Sequence, residues 1–188
     1  MSTSTTPSAP AHATVTYAID ASHSSAEFAV KHMMVSTVRG RFDDLEGAIH
    51  LDEADPTRSS VEAVVRTASV HTGVDFRDND LRSDNFFDVE RYPEMRFRST
   101  RVEPGKDDRW LVHGDLTIRD VTRPVTLDTE LEGRGQGMQG EDRIGFTATT
   151  AIDRKDFGLN YSAVLETGGV VVSDRVRITL HVEAARQR

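Results

Sequence analysis

Ser24-Ser25-Ala26-Glu27-Phe28-Ala29-Val30-Lys31-His32 is the stretch on which the fold turns. Ala26, Phe28 and Val30 fall on one side of an extended chain, and Glu27, Ala29 and Lys31 on the other. Period 2 is the pleat of a half-buried β-strand. From Thr16 onward the chain alternates like a strand protein, with two exceptions. Val38 to Leu51 carries it in two halves, Val38/Gly40/Phe42 and Leu45/Gly47/Ile49/Leu51, and the parity shift at Asp43-Asp44 predicts a bulge or bend. Further strands are predicted over 60–70 (Val61, Ala63, Val65), 94–102 (Met95, Phe97), 109–119 (Trp110, Val112, Leu116, Ile118), 124–132 (Val125, Leu127, Leu131), 143–153 (Ile144, Phe146, Ala148, Ile152) and 174–183 (Val176, Ile178, Leu180, Val182).

Polar or Gly/Pro breaks separate most of these strands. Glu103-Pro104-Gly105-Lys106-Asp107-Asp108 reads as a hairpin loop, and the Gly-rich run 133–142 as another loop. Two stretches lack strict alternation. Residues 72–91 are charged, and Leu81, Asn85 and Val89 lie four apart, which predicts a short helix and an irregular segment. Residues 155–172 are the second. Eight strands with alternating faces suggest an antiparallel barrel or a sandwich, and closure would remove the exposed edges of an open sheet. An eight-stranded barrel is either filled by its own side chains or holds one small ligand. Alternation does not choose between those interiors.

The 188 residues fit one domain, expected over 15–188, with no internal repeat or linker. The net charge of −8, with Arg interleaved among acids, argues against nucleic acid and disfavours electrostatic docking on an anionic membrane. No apolar run reaches the ~20 residues of a spanning helix. Residues 1–14 have neither a basic start nor an apolar core of signal-peptide length, so they are expected to be a disordered tail on a cytoplasmic protein. With no Cys, thiolate chemistry is excluded.

Single residues carry weaker signals. No His-x-His or His-Glu-x-x-His spacing exists, so no metal site is expected, and His23 is assigned a hydrogen-bonding role. Ser24 beside His23 would face the opposite way on a strand, and no Gly-x-Ser-x-Gly elbow is present, so no catalytic residues are assigned. Arg77, Asp78, Arg82, Asp84 and Asp88 form the densest charge constellation. It reads either as a polar gate at a barrel mouth or as ion pairs and caps fixing an irregular segment. Phe86 and Phe87 read as plug and core residues.

The ordered motifs are more specific. Ile19-Asp20-Ala21-Ser22-His23-Ser24, Val38-Arg39-Gly40-Arg41-Phe42, Ser69-Val70-His71-Thr72-Gly73, Phe86-Phe87-Asp88-Val89, Gly114-Asp115-Leu116-Thr117-Ile118-Arg119 and Arg154-Lys155-Asp156-Phe157-Gly158 follow one another as in YceI-like proteins. The chain resembles that family from about Tyr17 to Ala184. It departs at Asp80, where the family often has His, and at Asp120, where it often has Gly. The resemblance implies an all-β fold with one or two short helices, an eight-stranded antiparallel lipocalin-like barrel with an elongated apolar cavity. It also implies a lipid-like ligand such as a polyisoprenoid or isoprenoid quinone, no required cofactor, and a homodimer. Parity and resemblance together give an expected lining of Phe28, Val30, Met34, Phe42, Val65, Phe97, Leu116, Ile118, Phe146 and Ile152. The expected polar mouth is His23, Arg77, Asp84 and Phe86. The other readings are an enzyme acting on a quinone or lipid in the cavity and a barrel with a filled core.

Overall fold

The computed structural model describes residues 13–162 and 171–188. Its strands are β1 (Thr14–Ile19), β2 (Ser25–His32), β3 (Ser36–Phe42), β4 (Leu45–Asp52), β5 (Ser60–Arg66), β6 (Val70–His71), β7 (Glu94–Pro104), β8 (Trp110–Ile118), β9 (Val121–Gln136), β10 (Asp142–Asp153) and β11 (Val172–Arg186), with one helix, α1 (Asp75–Arg82). Hydrogen bonding runs β1-β4-β5-β7-β8-β9-β10-β11, and β11 pairs back with β1, closing an eight-stranded antiparallel barrel. β2 and β3 continue the wall beyond β1 and β4. β11 pairs with β1 through Ala184–Arg186 and with β2 through Val172–His181.

Two breaks bend the wall. Between β1 and β2, the Asp20 carboxylate accepts from the Ser22 N–H at 3.0 Å and caps a 3-10 turn. Between β3 and β4 lies Asp43-Asp44. Phe42 and Leu45 on either side of it are both buried, which is the parity shift expected there. Two glycines let large rings lie flat against the inner wall. A Cβ on Gly40 would stand 2.4 Å from Phe28 Cζ, and one on Gly114 would stand 2.5 Å from Phe97 Cζ.

One end of the barrel carries the β2–β3 turn, α1 and the chain up to β7. Buried Ala26, Phe42, Val70, Met95, Ile118, Phe157 and Leu159 form its core, with Leu81 and Phe87 packed on them. α1 is anchored by Asp78, which accepts from the Thr72 N–H at 2.8 Å and hydroxyl at 2.5 Å, with His71 Nδ1 at 3.3 Å. Burial pushes the Asp78 carboxyl up, but these hydrogen bonds, with the charges of His71 and Arg82, outweigh it and leave the group below the usual carboxylate range. The opposite end carries the hairpins around 53–59, 105–109 and 137–141.

Three expectations need correction. The helix stops at Arg82, where the Ser83 N–H turns back to Asn79 O and Asp80 O, so Asn85 and Val89 do not share its face. The Gly-rich run is mostly strand: β9 continues through Gly133 and Gly135 to Gln136 in register with β10, and only 137–141 turns. A Cβ on either glycine would meet nothing within 4 Å, so the ladder sets the conformation there. Strand begins at Thr14, paired with Asp52, rather than after it. The rest of the expected tail, residues 1–12, lies outside the described residues. No helix among the described residues is long and apolar enough to cross a membrane.

Candidate functional site

The inward faces of the strands enclose a cavity of about 520 Å³. That lies within the ~300–1,000 Å³ of sites that hold small organic ligands. Alternation delivers the walls. Phe28 and Val30 come from β2, Val61, Ala63 and Val65 from β5, Leu116 and Ile118 from β8. Phe146, Ala148 and Ile152 come from β10, Val176, Ile178 and Leu180 from β11. Phe28 and Phe42 lie 5.8 Å apart between centroids, and Phe87 meets Phe42 edge-on at 5.3 Å, so an aromatic stack closes the cavity toward α1.

Polar groups are few and lie near the ends. Toward α1 the cavity meets Arg154, only 3% exposed. Its guanidinium donates to Ser173 O, Leu159 O, Tyr161 O and Val172 O, at 3.1, 2.5, 2.8 and 3.2 Å. A carboxylate oxygen of Asp174 lies at 3.5 Å. These contacts spend the donors of the fork on backbone, so Arg154 ties two chain segments together and has none left for a ligand. At the other end the lining includes Pro56, Ser59, Ser60, Leu131 and Arg134. Arg134 Nη1 reaches Glu53 Oε1 at 2.5 Å. β4 and β9 stand on opposite sides of the ring, so this ion pair spans that end.

Phe28, Val30, Phe42, Val65, Phe97, Leu116, Ile118, Phe146 and Ile152 all face the cavity. Met34 does not. It sits in the β2–β3 turn, 67% exposed, with φ of 57°, where alternation has already ended. Of the expected mouth residues only Phe86 lines the cavity. Arg77 folds back on Thr72, donating to its Oγ1 at 2.8 Å and its carbonyl at 3.1 Å. Asp84 points to solvent in the turn after α1. His23 lies on the outer wall at the β1–β2 bend. Strand parity could not find Ser59, Ser60 and Arg134, since polar residues at strand ends carry no signature.

His23 belongs to a separate polar cluster. Its Nδ1 is 3.0 Å from both Asp20 Oδ2 and Ser22 Oγ, and the Ser22 hydroxyl donates to Asp20 Oδ1 at 2.6 Å. A serine relay needs the base to use one ring nitrogen for the nucleophile and the other for the carboxylate; here both contacts fall on one nitrogen. The strand-parity argument fails at this point because residues 21–23 form a 3-10 turn. Ser24 instead closes the sheet, donating to Glu183 O and accepting from its N–H. Asp20, His23 and Glu183 bring possible metal ligands within 4.8 Å. The Arg143 guanidinium already bonds both carboxylates, which is the charge neutralisation a cation would supply. Ser22, Arg143 and His23 hold Asp20 far below the usual carboxylate range.

The family model described as a YceI-like domain matches residues 17–184. A UPF0312 protein of Staphylococcus aureus (strain bovine RF122 / ET3-1) is 35% identical over 168 residues, 89% of this chain and 95% of that one. Among solved structures, the Campylobacter jejuni YceI protein is 31% identical with a TM-score of 0.72, covering 84% of this chain and 90% of that one. Burkholderia cenocepacia BcnA superposes with a TM-score of 0.77 at 23% identity, over 88% and 99% of the two chains. A polyisoprenoid binding domain from Saccharophagus degradans gives 0.66 at 20% identity, over 92% and 99%.

Proposed function

This chain belongs to the YceI-like family, and from that footing we propose that its barrel binds and carries a long-chain apolar ligand, a polyisoprenoid or an isoprenoid quinone. The observation that carries the reading is the cavity itself, about 520 Å³ walled by aliphatic and phenyl side chains from all around the ring. The polyisoprenoid-binding neighbour supports the same ligand class. Burying a methylene is worth ~0.8 kcal/mol, while association and ordering cost about 4–15 kcal/mol. Ten buried carbons supply about 8 kcal/mol on that scale, so a chain of several isoprene units is held and a short fragment is not. Affinity resides in the tail, and the polar groups at the end away from α1, Ser59, Ser60 and Arg134, discriminate among head groups.

Native mass spectrometry of freshly purified protein, with extraction and identification of whatever is released, tests this directly. The expected result is a stoichiometric apolar passenger, or uptake of a quinone bearing several isoprene units. Phe97→Arg, which puts a charge on the inner wall, is expected to abolish uptake in a barrel that still folds. A protein that is empty and takes up neither a quinone nor a polyprenyl phosphate would sink the proposal.

A further inference from the structure

The β2–β3 turn departs from local preference in two ways. Met33 and Met34 have φ of 50° and 57°, and the Val35 N–H bonds His32 O at 3.0 Å. Two central residues at positive φ is the pattern of a type I′ turn, which favours Asn-Gly. This chain places two methionines there instead. Their side chains and that of Val35 stand in solvent, 42%, 67% and 84% exposed. A conformation this unfavourable for Met, spent on showing apolar groups to water, points to a role outside the barrel's own packing.

The second observation is the charge around the turn. Arg39 and Arg177 both pair in register with Ala29, one on each side, so they flank it on the outer face. Lys31 lies two residues nearer the turn, and Arg175 lies two residues from Arg177 toward the same end. All four are exposed, and none has an ion-pair partner among the described residues. The carboxylates nearest this band are otherwise occupied or at its border: Glu27 lies by His181, Asp174 is held by Arg154 and Lys155, and Asp153 stands opposite Arg175. The acids of 75–90 follow β6, on the other flank of β3. In a chain of net charge −8, a basic band backs one apolar tip.

We infer that the Met33-Met34-Val35 turn inserts into an anionic lipid bilayer, with Lys31, Arg39, Arg175 and Arg177 lying against the head groups. An apolar tip enters the interface while cations meet anionic lipid, and each contributes to binding. The net charge, which opposes docking of the whole molecule, is irrelevant at this face, because only charges within about a Debye length, ~8 Å at physiological salt, act on the surface. The barrel docks tilted, with the β11–β2–β3 wall toward the membrane.

Co-sedimentation with vesicles tests this without reference to cavity ligand. The protein is expected to bind vesicles of phosphatidylcholine mixed with phosphatidylglycerol, to ignore phosphatidylcholine alone, and to be released by salt. Lys31→Gln, Arg39→Gln and Arg177→Gln together are expected to weaken binding roughly a hundred-fold. Met33→Asn with Met34→Gly is the sharper variant. It suits the turn, so thermal stability holds or rises, while vesicle binding is lost. The inference falls if the wild-type protein stays in the supernatant with the anionic vesicles at low salt, or if the double variant binds as tightly. It also falls if sedimentation velocity shows a dimer that the double variant dissolves, since the turn would then serve a second copy. An empty cavity with intact vesicle binding would overturn the carrier reading alone.

Discussion

At one end of the barrel Phe28, Phe42 and Phe87 stack over the cavity, backed by Leu81, Met95 and Phe157. At the other, among the described residues, a single ion pair, Arg134 to Glu53, crosses between opposite walls. The first closure is made of desolvated rings, each contact adding about 0.5–1.5 kcal/mol beyond the area it buries. The second joins two side chains that are both about half exposed, and such pairs are worth ~0–1 kcal/mol. For the proposed carrier, the weaker closure makes the strapped end the expected route of exchange, and the stacked end the one that behaves as part of the core.

The most damaging test of that contrast is Phe42→Ala. The ring is 5% exposed, and its loss is expected to cost about 3–5 kcal/mol in denaturant unfolding. A loss under ~1 kcal/mol would mean that the stack is a lid rather than core. Gly114→Val comes next. The added Cβ would stand 2.5 Å from both the Phe97 ring and the Arg98 carbonyl oxygen, so the neighbouring strand must shift as well as the ring, costing about 3 kcal/mol of stability and reducing the longest chain the cavity accepts. Acid probes the anchor of the stacked end. Because the folded Asp78 carboxyl lies below its unfolded value, its contribution is complete above about pH 4 and is lost as pH falls through the folded value. Asp78→Asn is expected to flatten that slope in urea unfolding followed between neutral and acid pH. The smallest stability effect belongs to Glu53→Gln, under ~1 kcal/mol, yet it should speed release of a bound fluorescent polyene in stopped flow. Unchanged release would assign the exchange route elsewhere.

Most of the wall was legible because a strand's two faces are set by a period the sequence must obey. The bend at Asp43-Asp44 showed itself as a change of parity between Phe42 and Leu45. Alternation misled where it ran past the pleat, as at Met34, whose position in the pattern is inward but whose backbone has already turned. Gly133 and Gly135 read as loop because glycine has no side chain to declare a face, although the ladder with β10 holds them extended. Arg154 was out of reach for a different reason. Its partners are carbonyl oxygens, which every residue possesses, so no spacing of side chains announces them.

The seam that closes the ring joins the first strand described to the last: β11 pairs with β10 along one edge and with β1 and β2 along the other. During synthesis β1 and β2 appear early and wait for β11, the last of the barrel's own strands to be made. Until residues 172–186 leave the ribosome the sheet has two raw edges and an apolar inner face open to water. Loss of β11 by nonsense mutation or nicking would leave that unfinished sheet permanently, with edges suited to pairing between molecules. Folding of this barrel is thus bound to its final strand, and its aggregation hazard lies in the interval before that strand arrives.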